Sequence, residues 1–229
     1  MARLAASQIA VLESGHWFGC ISSRLREFLL EAAVLRPIAA GERLFSRGDA
    51  PDGLYCVLEG ALRVSGTGAS GKEALLVVLE PPTWFGEIAL FDGGKRTHDA
   101  IADAPGRLLH IPQSVLLELL AKEPSHWRDL ALLLADKLRL AFIALEAMTL
   151  LPGHRRLAQR LTMIAEGYGT ARGAERSLIR IPQEQLAQMV SLSRQSVNQI
   201  LKEFEAQGIL RLHRGGIEIV DLAALRAKA

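Results

Sequence analysis

From Ile181 to Leu210 the chain reads IPQEQLAQMVSLSRQSVNQILKEFEAQGIL. Its apolar residues fall where two short helices, crossed at a tight turn, need them. Leu186, Ala187 and Val190 take the inner side of a first helix. Leu192 sits in the turn, and Val197, Ile200 and Leu201 take the inner side of a second. Ala187 is small where such helices cross most closely. The pattern predicts a helix-turn-helix, which lays its second helix in the major groove of DNA. The outer positions of that helix are Arg194, Gln195, Ser196, Asn198 and Gln199. A helix that needed only solubility would favour Glu and Lys there, whereas Arg, Gln and Asn can make paired hydrogen bonds to base edges. Ser193 is the expected N-cap. That places Arg194 and Gln195 in the first turn, where base edges are met, with Arg194 suited to a bidentate contact with guanine. Ser196 and Asn198 are candidates for phosphate or sugar contacts, and Lys202 and Arg214 for phosphate.

Charge is distributed in keeping with that motif. Residues 1–150 carry 15 Lys and Arg against 18 Asp and Glu, while residues 151–229 carry 12 against 7. The excess of cations lies with the helix-turn-helix, as phosphate neutralisation requires. The two cysteines, Cys20 and Cys56, lack the spacing of a zinc or iron–sulfur site and do not form a disulfide framework. The expected compartment is the cytoplasm. The N-terminus does not read as a signal peptide, and no apolar run reaches the length of a membrane span.

Upstream, residues 41–94 hold ten of the 20 glycines, with short apolar runs such as LYCVL, ALRV and ALLVVL between them. Short strands between regular turn signals predict a compact antiparallel barrel or jelly roll. Ser22 to Leu35 reads as a helix before it, with Leu25, Phe28, Leu29 and Ala32 or Ala33 on one side. From Trp127 to Leu150 Gly and Pro disappear. Trp127, Ala131, Leu134, Leu138, Ala141, Leu145 and Met148 follow alternating spacings of four and three, an a/d seam. Leu130, Leu133, Leu140 and Ala144 form a second apolar row. A helix apolar on two sides must be covered on two sides. The barrel would cover one, and the same helix of a second subunit the other, with Leu134, Leu138, Ala141, Leu145 and Met148 at the interface. Pro152-Gly153 ends this helix and begins a hinge. His154 to Glu166 reads as an amphipathic helix with Leu157, Leu161 and Ile164 inward. Gly167 to Arg176 reads as a loop and Ser177 to Ile181 as a short strand. After the helix-turn-helix, ILRLHRGGIEIVD alternates about Arg214-Gly215-Gly216, a hairpin signal that makes the motif a winged helix.

The order of barrel, long helix, hinge and winged helix resembles the bacterial CRP/FNR family of transcription regulators over roughly residues 15–225. GERLFSRGDAPDGLYCVLEGALRV is similar to the family's first roll strands. FGEIALFDGGKRT looks like the phosphate-binding cassette of cyclic-nucleotide domains, and SRQSVNQILKEFEAQGIL is similar to the family's recognition-helix region. The resemblance implies an α+β chain. Residues 1–126 would form an antiparallel β-roll (jelly-roll) sensor, residues 127–151 a dimerisation helix, and residues 152–229 the winged helix-turn-helix domain. It also implies a homodimer on an inverted-repeat operator in double-stranded DNA, acting with RNA polymerase and away from membranes. Relatives carry Glu at Gln195 and Arg at Gln199, so the half-site should differ from theirs.

The candidate effector site comprises Gly86, Glu87, Ile88, Ala89, Arg96 and Thr97, together with Ala141 and Phe142. A cyclic phosphate needs a fixed cation, for which the planar guanidinium of Arg96 is suited. Gly86 would let the backbone approach, Glu87 would accept from a ribose hydroxyl, and Thr97 would donate to the phosphate. Two departures stand out. Arg96 is followed by Thr97-His98-Asp99 rather than by a small residue and Ala. Ala141-Phe142 occupies the place of a Thr-Ser pair that contacts adenine in cAMP-responsive relatives. Glu87 and Arg96 would alternatively serve as structural parts of the roll, in an ion pair or a turn contact. A cyclic nucleotide of the cAMP type is thus one candidate effector; a larger nucleotide, an organic metabolite and no ligand are the alternatives. The single residues His16, Cys20, Cys56, His98 and His110 make a weak case for haem, and no cysteine cluster exists for iron and sulfur. An enzyme would need a metal cluster or a paired acid and base. Glu87, His98 and Asp99 lack that spacing, so no catalytic or metal site is expected.

Overall fold

The computed structural model describes residues 4–68, 71, 73–169 and 177–229. The chain divides into two compact units. One runs to Leu138 without Glu73–Leu75; the other holds those three residues and everything from Arg139 onward.

In the first unit, helices α1 (Ala6–Glu13), α2 (His16–Cys20) and α3 (Ser23–Ala32) precede strands β1 (Val34–Ile38), β2 (Arg43–Phe45), β3 (Gly53–Thr67), β4 (Glu73–Leu79) and β5 (Trp84–Phe85). Helix α4 (Ile88–Asp92), strand β6 (Asp99–Pro112) and helix α5 (Gln113–Lys122) follow, and the long helix α6 (His126–Leu150) starts here. The sheet runs β1-β6-β3-β4, with β2 also on β6 and β5 also on β3. Strand β6 is antiparallel to β1, β2 and β3.

Successive strand residues point to opposite faces, so an apolar run with no polar alternation must be covered twice. The LYCVL run of β3 is such a case. Leu54, Cys56 and Leu58, with Leu109 and Ile111 of β6, join a core built with Leu12, Phe18, Leu25, Leu29, Leu116, Leu120, Leu130 and Leu133 of the helices. Tyr55 and Val57, with Leu108, join a separate core with Ile38, Leu44, Phe85 and Ala102. Register shifts between Val57 and Leu62 change the phase, and Leu62 joins Tyr55 and Val57 despite its even number. Gly60 therefore lies within a bulged strand instead of ending a short one. Where the sequence predicts only short strands, β3 and β6 are long and bent, at 15 and 14 residues. Trp84 is the centre of the helix-side core. It meets Trp17 edge-on at 5.2 Å and stacks on Phe18 at 5.7 Å. The indole of Trp17 donates to the Asp129 carbonyl at 2.7 Å, which anchors the start of α6.

Helix α3 stops at Ala32, three residues short of the sequence expectation. Val34 and Leu35 instead pair with His110 and Leu109 in the sheet, and Arg36, which precedes Pro37, continues the strand. On α6 burial falls along the helix, and Leu134, Leu140 and Ala144 are half-buried. Leu130 and Leu133 are buried, while Leu138, Leu145 and Met148 are 52%, 62% and 39% exposed.

The second unit contains the rest of α6, then helix α7 (Gly153–Ala165), strand β7 (Leu178–Ile179), helices α8 (Gln183–Val190) and α9 (Arg194–Ala206), strands β8 (Leu210–His213) and β9 (Gly216–Ile219), and helix α10 (Leu222–Ala227). Its sheet is antiparallel in the order β7-β9-β8. Leu157, Leu161, Ile164, Leu186, Ala187, Val190, Val197 and Leu201 are buried as the periodicity predicts. Met189 and Phe204 are buried as well, whereas Ile200 is only half-buried. Gly167–Gly169 forms a short 3-10 turn, and residues 170–176 of the expected loop lie outside the described residues.

Trp84 is 2% exposed. Trp84→Ala should therefore destabilise the protein by about 3–5 kcal/mol. Chemical denaturation measures this, and a loss below about 1 kcal/mol would show that the cluster is not a stability centre.

Candidate effector site and DNA-reading surface

The roll site is organised by a buried cation. Arg96 is brought into the roll by the turn after α4, where its own backbone carbonyl accepts from Gly48 and its backbone N–H donates to Asp49. Its guanidinium donates from Nη2 to Asp52 Oδ1 at 2.6 Å and to the Gly53 carbonyl at 2.9 Å, and from Nη1 to the Gly86 carbonyl at 3.1 Å. Its carbon lies 4.4 Å from the centre of the Phe45 ring, within cation–π range. Gly86 has φ +94°, and a Cβ there would sit 2.8 Å from Nη1, so only glycine allows this approach. The Tyr55 hydroxyl also donates to Asp52. Burial pushes the Asp52 carboxyl up, but the hydrogen bonds from Tyr55 and Arg96 outweigh it and hold the group below the usual carboxylate range. Burial and the neighbouring Asp52 push the Tyr55 phenol well up, so it remains a donor.

Glu87 is equally committed. It is 2% exposed and accepts from Lys137 Nζ of α6 at 2.6 Å. The two cassette charges thus do not pair with each other: Arg96 pairs with Asp52, and Glu87 with Lys137. Lys137 occupies Oε2 of Glu87, and Oε1 keeps its acceptor capacity. Ala89 is buried beside them, while Ile88 and Thr97 are exposed, with Thr97 Oγ1 3.0 Å from His98 Nδ1. Ala141 and Phe142 are exposed on α6. Asp52, Tyr55, Phe45 and Lys137 were not legible as site residues, because nothing local marks the partner of a distant arginine. The one available signal for Lys137 is a cation among the leucines of ADKLRL.

An anionic ligand with a cyclic phosphate finds a partial match here. Three of the five N–H groups of Arg96 are used, and two remain, the buried Nε–H and the second N–H of Nη1. The side chains of Ala141 and Phe142 carry no hydrogen-bonding group. Cys56 is fully buried, and burial pushes its thiol well up, the opposite of a reactive or ligating sulfur. No cluster of three metal-ligating residues exists among the described residues.

In the second unit, Ser193 caps α9 by accepting from the Ser196 amide at 3.0 Å. Val197, Leu201 and Phe204 fill the buried side. Arg194, Gln195, Gln199 and Lys202 are exposed, and Ser196 and Asn198 half-buried. Asn198 Nδ2 donates to Gln183 Oε1 of α8 at 3.1 Å, and Gln199 Nε2 to Glu203 Oε1 at 3.2 Å. Arg214 is exposed at the tip of the β8–β9 hairpin.

Residues 35–123 match the family model of the cyclic nucleotide-binding domain, and residues 155–228 that of the Crp-like helix-turn-helix domain. The chain is 30% identical over 190 residues to a CRP-like cAMP-activated global transcriptional regulator of Mycobacterium tuberculosis, which covers 82% of this chain and 85% of that protein. The chain belongs to the CRP/FNR family. It is a transcription regulator with a helix-turn-helix DNA-binding domain and not an enzyme. The cyclic AMP receptor protein of Thermus thermophilus is 31% identical over 186 residues, 81% of this chain and 83% of that one. FixK2 of Bradyrhizobium japonicum has the same fold, with a TM-score of 0.75 at 18% identity over 85% of this chain and 96% of that one. In this chain the charges of Arg96 and Glu87 are answered internally, by Asp52 and Lys137. Among the described residues, no helix is long and apolar enough to cross a membrane.

The folded Asp52 value lies below the unfolded one. Its stabilising contribution is therefore fully present above the unfolded carboxyl value of about 3.9 and is lost as pH falls through the folded value. Asp52 is 49% exposed, so solvent screens the pair, and Asp52→Asn should lower stability at neutral pH by only about 1 kcal/mol and flatten the acid limb of Tm against pH. An acid limb as steep as that of the unaltered protein would refute this role.

Proposed function

We propose that this regulator is a homodimer that reads an inverted repeat in double-stranded DNA and whose hold on DNA is set by an effector in the roll. Residues 1–126 act as the sensor, residues 127–151 as the dimer helix and residues 152–229 as the DNA-reading domain. The observation that carries this reading is the recognition helix. Its buried side is wholly apolar, and its outward side presents Arg194, Gln195, Gln199 and Lys202. Arg194 takes a guanine through two hydrogen bonds, and Gln195 and Gln199 favour adenine. Ser193, Ser196, Asn198, Lys202 and Arg214 hold the backbone. The exposed Leu138, Leu145 and Met148, with Leu134 and Ala141, supply the dimer face. Such a protein works in the cytoplasm and acts on transcription through contact with RNA polymerase.

The names of the relatives support a cyclic nucleotide as the effector, held through its phosphate by Arg96 with Gly86, Glu87, Ile88, Ala89 and Thr97 around it. A second reading has its own observation: Asp52 and Lys137 already neutralise Arg96 and Glu87, which suits a regulator that needs no effector. Titration calorimetry with cAMP separates the two. Saturable heat that is absent in Arg96→Ala supports the first; no heat at millimolar ligand leaves the second.

Arg194→Ala should weaken specific binding by about 1–3 kcal/mol and relax one base position in a selection experiment; an unchanged consensus would overturn the assignment. Leu138→Glu combined with Leu145→Glu should give a monomer by sedimentation, and a dimer that persists would remove α6 as the interface.

A further inference from the structure

Where α6 ends and α8 ends, backbone carbonyls are left without intrahelical partners, and both ends carry partial negative charge. One side chain answers both. Arg156, half-buried on α7, donates from Nη1 to the Leu151 carbonyl at 3.0 Å and from Nε to the Val190 carbonyl at 3.2 Å. Leu151 directly follows α6, and Val190 is the last residue of α8, one step before the turn of the helix-turn-helix. A second contact joins the same two places. A Cβ on Gly153, the first residue of α7, would lie 3.0 and 3.2 Å from the two methyl carbons of Leu192 in that turn. Arg160 adds a bond from Nη2 to the Met189 carbonyl at 3.4 Å.

We infer that Arg156 is a positioning residue for DNA reading: by tying the end of α6 to the turn between α8 and α9, it fixes the angle at which the recognition helix is presented. The guanidinium suits this task, because its charge is permanent and its N–H groups diverge in a rigid plane. A lysine could neutralise the helix ends but could not hold two carbonyls in fixed geometry. Base contacts come from α9 itself, so Arg156 should not alter which bases are read. It should alter how far apart two half-sites can lie.

This rests on the dimeric, inverted-repeat reading. The test uses the full-length protein and a series of duplexes in which two identical half-sites are separated by different spacings. Binding to each is measured for the unaltered protein, Arg156→Lys and Arg156→Gln, alongside Tm. The unaltered protein should prefer one spacing. Arg156→Gln should keep the half-site consensus but lose or shift the preferred spacing, and Arg156→Lys should do the same while keeping more of the overall affinity. A spacing profile that is unchanged in shape, whether affinity stays the same or falls equally on every duplex, would overturn the inference and leave Arg156 a stabilising contact. If Arg156→Gln does not fold, Arg156→Lys decides by the same criterion. A lack of any inverted-repeat preference in the unaltered protein would overturn the dimer reading itself, and the inference with it.

Discussion

A buried positive charge needs an answer close at hand, because the desolvation of a guanidinium costs several kcal/mol when no counter-charge or carbonyl repays it. Arg96, with 4% of its side chain exposed, imposes that condition on the roll. Asp52 supplies the charge, the Gly53 and Gly86 carbonyls supply acceptors, and Phe45 supplies the face of a ring. These groups come from the β2 end, the start of β3 and the β5–α4 turn, and Arg96 itself from the loop before β6. One side chain thereby fixes the relative placement of four segments. The same arrangement constrains any anionic effector, which must share the guanidinium with a carboxylate already bonded to it. Lys137 and Glu87 repeat the theme, since a cassette carboxylate is held by a cation on the long helix.

Around this polar centre the roll is held by strands that face two cores. The alternation of Leu54, Cys56 and Leu58 against Tyr55 and Val57 sends neighbouring residues to opposite faces. The long helix is then asymmetric in a useful way. Leu130 and Leu133 complete the helix-side core, while Leu138 and Leu145 remain exposed. Exposed leucines of this kind in the second half of the helix are costly in water unless a partner covers them.

In the second unit, α9 is set by its own cap and apolar side, and the α8 end and turn before it are held from α7. The capped start of α9 and its apolar side determine which residues point outward. The carbonyl contacts of Arg156 and Arg160 connect α7 with the end of α8. The packing of Leu192 against Gly153 brings the turn and the hinge into one junction.

What the chain announces by itself is local. The spacing of Leu186, Ala187, Val190, Val197 and Leu201, the Ser193 cap, the Arg214-Gly215 hairpin and the glycine-free span of α6 are all readable, because each depends on residues within a few turns of one another. Tertiary structure alone decided the rest. Strand pairing with β6 converted Val34 and Leu35 from helix to strand, and register shifts let β3 run through Gly60. The partners of Arg96 and Glu87 lie 44 and 50 residues away, on segments whose own composition carries no mark of them. An ion pair depends on where two chain segments meet in space, and no local period encodes that meeting.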